Sequence, residues 1–282
     1  MSRPYAEVIG DPIAHSKSPL IHNFWLGKLG IDAEYRACHV RPEQLADYFA
    51  QRRRDVDWRG CNVTIPHKTA ALQSVDGLLP GYPDIGAINL VVPRERGLLG
   101  GNTDCDGVAG PINLFHDKAF DYKTVPPRRV GIIGAGGAAR AAVATLKALG
   151  WVCEWRIAVR NAERGAELLE EFEIDGAVVE ISDRALEGLD IVINASAMGL
   201  NDNSESSLSL SGLDGGPIRP VVFDMVYSPH ETGLIRAAKK QHFEVIYGLD
   251  MLIAQASGAF DHFFHQSPPR GSSEELRGML TA

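Results

Sequence analysis

Lys68 and Asp104 are the side chains best suited to move a proton, and each sits in a polar run that interrupts an apolar one. In "NVTIPHK", residues 62–68, an extended stretch ends in Asn62 and Thr64, and the spacing predicts that Pro66 opens a helix with Lys68 in its first turn. A lysine there opposes the helix dipole, which makes it a poor choice for stability alone. In "GGNTDCDG", residues 100–107, Asn102 and Asp104 follow a short strand and read either as an Asx turn or helix cap, or as reactive polar groups. "HSKSP", residues 15–19, sets Ser16 and Ser18 before a proline and an apolar run. Ser18 reads as an N-cap with Pro19 at the first helical position, and the N–H groups of that first turn also suit a carboxylate. A lysine, a carboxylate, hydroxyls and amides together serve a reaction in which a proton passes to or from an alcohol oxygen.

The cofactor for such a reaction is legible further on. "GAGGAAR", residues 134–140, follows the apolar "RRVGII" and opens an Ala-rich helix, the setting a dinucleotide turn needs. Gly134 permits the tight turn, Gly136 lets the backbone approach a pyrophosphate, and Ala139 takes the third glycine's place against the sheet. The backbone N–H groups of Ala135, Gly137 and Ala138 complete the phosphate cradle. An acidic residue about 20 positions on would bind the ribose 2′-hydroxyl of NAD. Val159 and Arg160 stand there instead, and Arg160 with Arg164 offers guanidiniums to a 2′-phosphate, so the pattern favours NADP, with NAD as the alternative.

The elements that must hold these groups alternate. "YAEVIG", "AEYRACHV" and "RGCNVTI" are extended, with helices predicted from Pro19 to about Leu29 and from Pro42 to about Arg53 between them. That is the signature of parallel β-α-β units. Residues 87–101 read as a hairpin added to that sheet. The proline pair at 126–127 marks a junction, after which five strands are predicted: "RRVGII", "EWRIAVR", "GAVVEI", "LDIVINAS" and "RPVVFDM". Residues 201–216 read as a mobile loop, Leu249–Phe264 as a helix with an apolar stripe flanked by Gln255, and 267–282 as a fraying end.

Composition limits the function classes. A chain of 282 residues suits two domains, and 45% hydrophobic with 23% charged residues suits a folded globule. A net charge of -8 argues against a nucleic-acid partner, and Arg52-Arg53-Arg54 reads as a solvated helix face. Four cysteines without metal or redox spacing, no leader pattern and no long apolar run predict a reduced cytoplasmic protein off the membrane. His262 and His265 read as structural, and no metal site is expected.

Seven stretches, "GDPIAHSKSPLIHN", "NVTIPHK", "IGAIN", "NTD", "GAGGAAR", "DMVYSPHET" and "GLDMLIAQA", occur in the order seen in shikimate dehydrogenases, and the resemblance spans about residues 7–265. It implies an N-terminal α/β substrate domain with a mostly parallel sheet and a Rossmann-type, doubly wound NADP-binding domain, the last helix returning to the first. The expected bounds are 1–107 with 245–282 for the substrate domain and 108–244 for the cofactor domain. The implied activity is reversible, NADPH-dependent reduction of 3-dehydroshikimate to shikimate, by a monomer or homodimer. By the same resemblance Lys68 is the catalytic lysine and Asp104 its partner. Ser16 and Ser18 bind the substrate carboxylate, and Thr64, Asn89, Gln255 and Tyr227 supply further contacts. Met225 and Gly248 lie near the nicotinamide, and Arg160 and Arg164 match the family's arginines. The chain departs from the pattern at Asn161, Leu90, Cys105-Asp106 and Asp250. Two other readings are an NAD-dependent quinate/shikimate dehydrogenase and a silent NADP-binding sensor or scaffold, the latter disfavoured because a dinucleotide needs neither Lys68 nor Asp104.

Overall fold

The computed structural model describes residues 3–119, 128–200, 202, 204–205, 208–213, 219–269 and 271–281; of 115–119 only the backbone is described. The proline pair at 126–127, and residues 201, 203, 206–207 and 214–216 of the polar segment, lie outside the described residues. The chain divides into two compact units, Met1–Thr103 with Gln255–Ala282, and Asp104–Ala254.

In the first unit Tyr5–Gly10 (β1) lies between Glu34–His39 (β2) and Trp58–Val63 (β3), all parallel. The short strand Gly77–Leu78 (β4) and the hairpin of Leu90–Arg94 (β5) and Gly97–Gly101 (β6) extend the sheet to β2-β1-β3-β5-β6-β4. β5 runs antiparallel to β3, which makes the sheet mixed as expected from the hairpin. Its helices Ser18–Leu29 (α1) and Leu45–Arg52 (α2) bury Ile21, Trp25 and Leu26, and Tyr48 and Phe49, respectively.

Four sequence expectations change here. Pro66 opens no helix: residues 65–69 form turns ahead of a 3-10 helix at Ala70–Ser74, so the dipole argument about Lys68 does not apply. Ser18 is the first helical residue rather than the cap; Lys17 holds the cap position, and the Ser16 hydroxyl accepts from the Ser18 N–H at 3.3 Å. Arg52 does not belong to a solvated face. It donates to Glu7, a carboxylate 1% exposed on β1, at 2.8 and 3.1 Å, beside Arg36 and the Tyr48 hydroxyl. A buried carboxylate needs such partners to offset its lost hydration. Lastly, the C-terminal end does not fray: Ser273–Thr281 (α8) buries Leu276 and Leu280, and Lys17 Nζ donates to the Leu280 carbonyl.

In the second unit Arg128–Ile133 (β7), Val152–Val159 (β8), Gly176–Glu180 (β9), Ile191–Asn194 (β10), Val221–Asp224 (β11) and Glu244–Tyr247 (β12) form an all-parallel sheet ordered β12-β11-β10-β7-β8-β9. Counted from β7, this is the 3-2-1-4-5-6 order of a Rossmann-type, doubly wound sheet. Central strands such as "VVFD" read as apolar runs because both faces are covered. β12 is a sixth strand beyond the five predicted, and a division at 244/245 would cut through it. Asp104–Ala119 (α3), Gly137–Leu149 (α4), Ala162–Glu171 (α5) and Gly233–Lys240 (α6) are the remaining helices. Gly248–Phe264 (α7) straddles the division at Ala254/Gln255.

Candidate active site

Parallel strands deliver their C-terminal ends to one edge of a sheet, and loops leaving those ends meet there. In the first unit the loop after β1 and the turn after β3 are joined by the Asp11 N–H donating to the Ile65 carbonyl at 3.0 Å. The first carries Ser16 and leads to Ser18; the second carries Thr64 and Lys68. The His67 N–H closes on the Thr64 carbonyl at 2.9 Å, and the buried His67 ring meets the Val40 carbonyl at 2.6 Å, so the turn is anchored from behind. Lys68 is half-buried, and its carbonyl accepts from the Ile88 N–H at 2.9 Å, which sets it beside the residue preceding Asn89.

Asn89 is the centre of a buried amide cluster. Its Oδ1 accepts from the Thr103 N–H at 2.7 Å and from the Thr103 hydroxyl at 3.2 Å. Its Nδ2 donates to Thr103 Oγ1 at 3.0 Å and to Gln255 Oε1 at 3.4 Å. Asn62 Nδ2 donates to the Asn89 carbonyl at 3.1 Å, and Asn102 Nδ2 to the Ala87 carbonyl at 2.9 Å. Of the residues expected at this site, the unit therefore brings Asn89 and Gln255 into contact and binds the Lys68 backbone to Ile88, the residue before Asn89. Asn62 and Thr103 were not assigned roles from sequence. The signal was a buried asparagine inside the apolar "GCNV" and a threonine between two polar residues.

The second unit places its candidates along one edge too. β7 and β10 are neighbours at the point where strand order reverses, the place where such sheets take ligands. Gly134 leaves β7 at φ 109°, and a Cβ there would lie 3.1 Å from the Ala195 carbonyl oxygen, so only glycine fits. Gly136 caps α4 with no side-chain hydrogen bond, space around its Cα is open, and the first turn carries no acidic residue. Ala139 is fully buried in the unit's core. An uncapped N-terminus in open space fits a pyrophosphate, with Ala135, Gly137 and Ala138 supplying backbone.

At the end of β8, Arg160 and Arg164 are exposed, and their guanidiniums make no ion pair or hydrogen bond among the described residues. Asn161, standing where the family pattern has threonine, is the N-cap of α5, its Oδ1 accepting from the Arg164 N–H at 3.2 Å. The pair fits a 2′-phosphate, and Glu163 is the only acidic residue in that helix's first turn.

Met225 follows β11, its N–H donating to the Asn194 carbonyl at 3.0 Å. Gly248, first in α7, lies so close that a Cβ would fall 2.5 Å from the Val226 carbonyl oxygen and 2.6 Å from Met225. Burial pushes the Tyr227 phenol up from its ordinary pKa. Asp104, 4% exposed, begins α3 and shares its first turn with Asp106, where a carboxylate also complements the helix dipole. A polar knot not foreseen from sequence holds this edge. Asp224, fully buried, accepts from Asn194 Nδ2 at 2.9 Å, the Val226 N–H at 3.0 Å and the Thr232 hydroxyl at 2.5 Å. His262 of the predicted structural pair lies 3.2 Å from the Tyr82 hydroxyl. Among the described residues no group of three His, Cys, Asp or Glu is placed to hold a metal.

The family model for the shikimate dehydrogenase substrate binding domain matches residues 8–91. A relative from Sphingopyxis alaskensis, shikimate dehydrogenase (NADP(+)), is 44% identical over 280 residues, 99% of this chain and 97% of its own. The chain belongs to the shikimate dehydrogenase family. A family structure from Thermus thermophilus, in complex with NADP(H) and shikimate, aligns with a TM-score of 0.83 at 31% identity, covering 98% of this chain and 99% of the other. The ligand-free 5-ketofructose reductase of Gluconobacter sp. strain CHM43 aligns with a TM-score of 0.80 at 26% identity, covering 99% of each chain. The family's fold thus resembles that of a reductase with another name, and substrate must be argued from side chains. No helix among the described residues is long and apolar enough to cross a membrane.

Proposed function

We propose that this chain catalyses the reversible, NADPH-dependent reduction of 3-dehydroshikimate to shikimate, the first unit binding the substrate and the second the dinucleotide. The observation that carries the reading is the half-buried Lys68, whose carbonyl accepts from the Ile88 N–H in the segment that leads through Asn89 into β5. Family membership over 99% of the chain supports it.

Bound NADPH supplies the hydride. Lys68 as ammonium donates a proton to the oxygen that gains negative charge, and takes one back in the reverse direction. Asp104 is its carboxylate partner. The Ser16 and Ser18 hydroxyls hold the substrate carboxylate; Thr64, Asn89, Gln255 and Tyr227 match the remaining polar groups of the ring. Each polar partner left unmatched costs about 1–3 kcal/mol, enough to reject a stereoisomer. Gly134, Ala135, Gly136, Gly137 and Ala138 cradle the pyrophosphate, Met225 and Gly248 flank the nicotinamide, and Arg160 with Arg164 holds the 2′-phosphate.

Purified protein assayed with shikimate or quinate, each with NADP+ or NAD+, tests this by the absorbance of the reduced nicotinamide. The highest kcat/KM is expected for shikimate with NADP+. A preference for NAD+ would remove the 2′-phosphate role of the arginines, and no turnover with any pair would leave a binding protein.

A further inference from the structure

Tyr35 stands on the edge strand β2, with β1 and β3 between it and the segment that bears Asn89, and the function proposed above gives it no role. Its side chain nonetheless reaches the amide cluster. The Tyr35 hydroxyl donates to Asn62 Oδ1 at 2.7 Å, a bond spanning 27 positions of sequence. Its register partner on β1 is Ala6, whose single methyl leaves the sheet face open for the ring. Burial pushes the Tyr35 phenol well above its ordinary pKa, so the hydroxyl keeps its proton and acts as the donor.

That donor sets the orientation of an amide that could otherwise flip. With Oδ1 taken by Tyr35, Asn62 must turn Nδ2 toward the Asn89 carbonyl, 3.1 Å away. The same carbonyl accepts from the Val63 N–H at 2.8 Å, and the Asn89 N–H donates to the Gly101 carbonyl at 3.0 Å. The Asn89 backbone is thereby held on both sides, and its side chain points Nδ2 toward Gln255. Tyr35, Asn62, Asn89, Thr103 and Gln255 are 1, 5, 2, 0 and 8% exposed, so water competes little for any of these bonds. The ring of Tyr35 is clamped as well: His22 stacks on it at 3.9 Å and 4°, with Phe263 at 6.1 Å.

We infer that Tyr35 is a positioning residue for substrate binding, fixing the Asn62 amide and through it the Asn89–Gln255 pair. The inference rests on the reading of Asn89 as a substrate contact. Steady-state kinetics of Tyr35→Phe, Asn62→Ala, their double variant and Asn89→Ala separate the two. For Tyr35→Phe the KM for shikimate is expected to rise about fivefold while kcat and the KM for NADP+ stay within about twofold, the split of lost uniform binding. A purely structural loss would instead lower the active fraction and leave the KM for shikimate alone. In the double variant the KM should be no higher than in Asn62→Ala, because the two residues act as one chain. A raised KM in Asn89→Ala with an unchanged one in Tyr35→Phe overturns the inference and keeps the reading. An additive double variant overturns it too. An unchanged KM in Asn89→Ala overturns the reading itself and the inference with it. Should Tyr35→Phe fail to fold, Asn62→Asp keeps the acceptor for the Tyr35 hydroxyl, loses the donor to Asn89, and carries the same expected rise; an unchanged KM there counts against the inference equally.

Discussion

His22 is fully buried on α1, and neither ring nitrogen has a hydrogen-bond partner among the described residues. Burial pushes its pKa down to about 3. In the unfolded chain the value returns to about 6.5, so below that pH the unfolded state takes up a proton that the native state refuses. Stability is therefore fully present above about pH 6.5 and lost as pH falls, by up to about 1.4 kcal/mol per unit. His22→Phe, which keeps a ring among Trp25, Tyr35 and Phe260, should show a shallower loss between about pH 6 and 4.5 in urea unfolding. Parallel curves would show that His22 is not the titrating group. Lys68 is tested by rate: Lys68→Ala should lower kcat by about 10²- to 10⁴-fold with little change in KM, as for a group acting mainly in the transition state. An unaltered kcat would remove it from the chemistry. Both lysine and aspartate were legible as residue types, because a polar side chain interrupting an apolar run is a local signal. The pairing of Tyr35 with Asn62 was not, since it depends on the register of three strands.

Among elements, what the sequence announced was again what is local. The Gly-rich turn into α4, the hairpin β5–β6 and the apolar strands β7, β10 and β11 follow from runs of a few residues. α8 was misread because "SPPRGSS" outweighed the four-residue spacing of Leu276 and Leu280 that buries it. The turn at 65–69 was misread as a helix because a proline at a strand end admits either continuation. The knot at Asp224 is the largest omission: β10, β11 and α6 meet in side-chain bonds 30 and 8 positions apart, which no periodicity reports. Thr232 both donates to Asp224 and accepts from the Ile235 N–H at 3.2 Å, capping α6. Burial outweighs these bonds and pushes the Asp224 carboxyl up from its ordinary pKa. Asp224→Ala removes hydrogen bonds to a buried carboxyl and leaves the Thr232 hydroxyl and one of the two Asn194 amide hydrogens, the other being held by the Met198 carbonyl, without an acceptor, so it should cost about 3 kcal/mol in urea unfolding. Asp224→Asn keeps an acceptor for Asn194 and should cost about 1 kcal/mol. Equal costs would mean that the acceptor kept by Asp224→Asn contributes nothing, and costs near zero for both would mean that the knot does not stabilise the fold.

For the molecule as a whole, the alternation of strands and helices was enough to predict two α/β units, since parallel pairing demands helical crossovers. The point of division was less legible: it falls inside α7 at Ala254/Gln255, and a helix has no local signal for which core its two halves serve. Cofactor choice acts at this scale, because a ligand that binds only the native state stabilises everything that unfolds with its site. At about 100 times its Kd, NADP+ should add about 2.7 kcal/mol, and a unit of this size should then melt about 5–10 °C higher in calorimetry. NAD+ at the same concentration should give a smaller rise, lacking the phosphate that Arg160 and Arg164 would hold. These guanidiniums are exposed and unpaired among the described residues, so replacing both with alanine should leave the melting temperature without cofactor nearly unchanged. The double variant should lower the NADP+ rise to that of NAD+ and leave the NAD+ rise as it was. If the full NADP+ rise survives, the 2′-phosphate is held elsewhere, and the exposed pair at the end of β8 is ordinary surface.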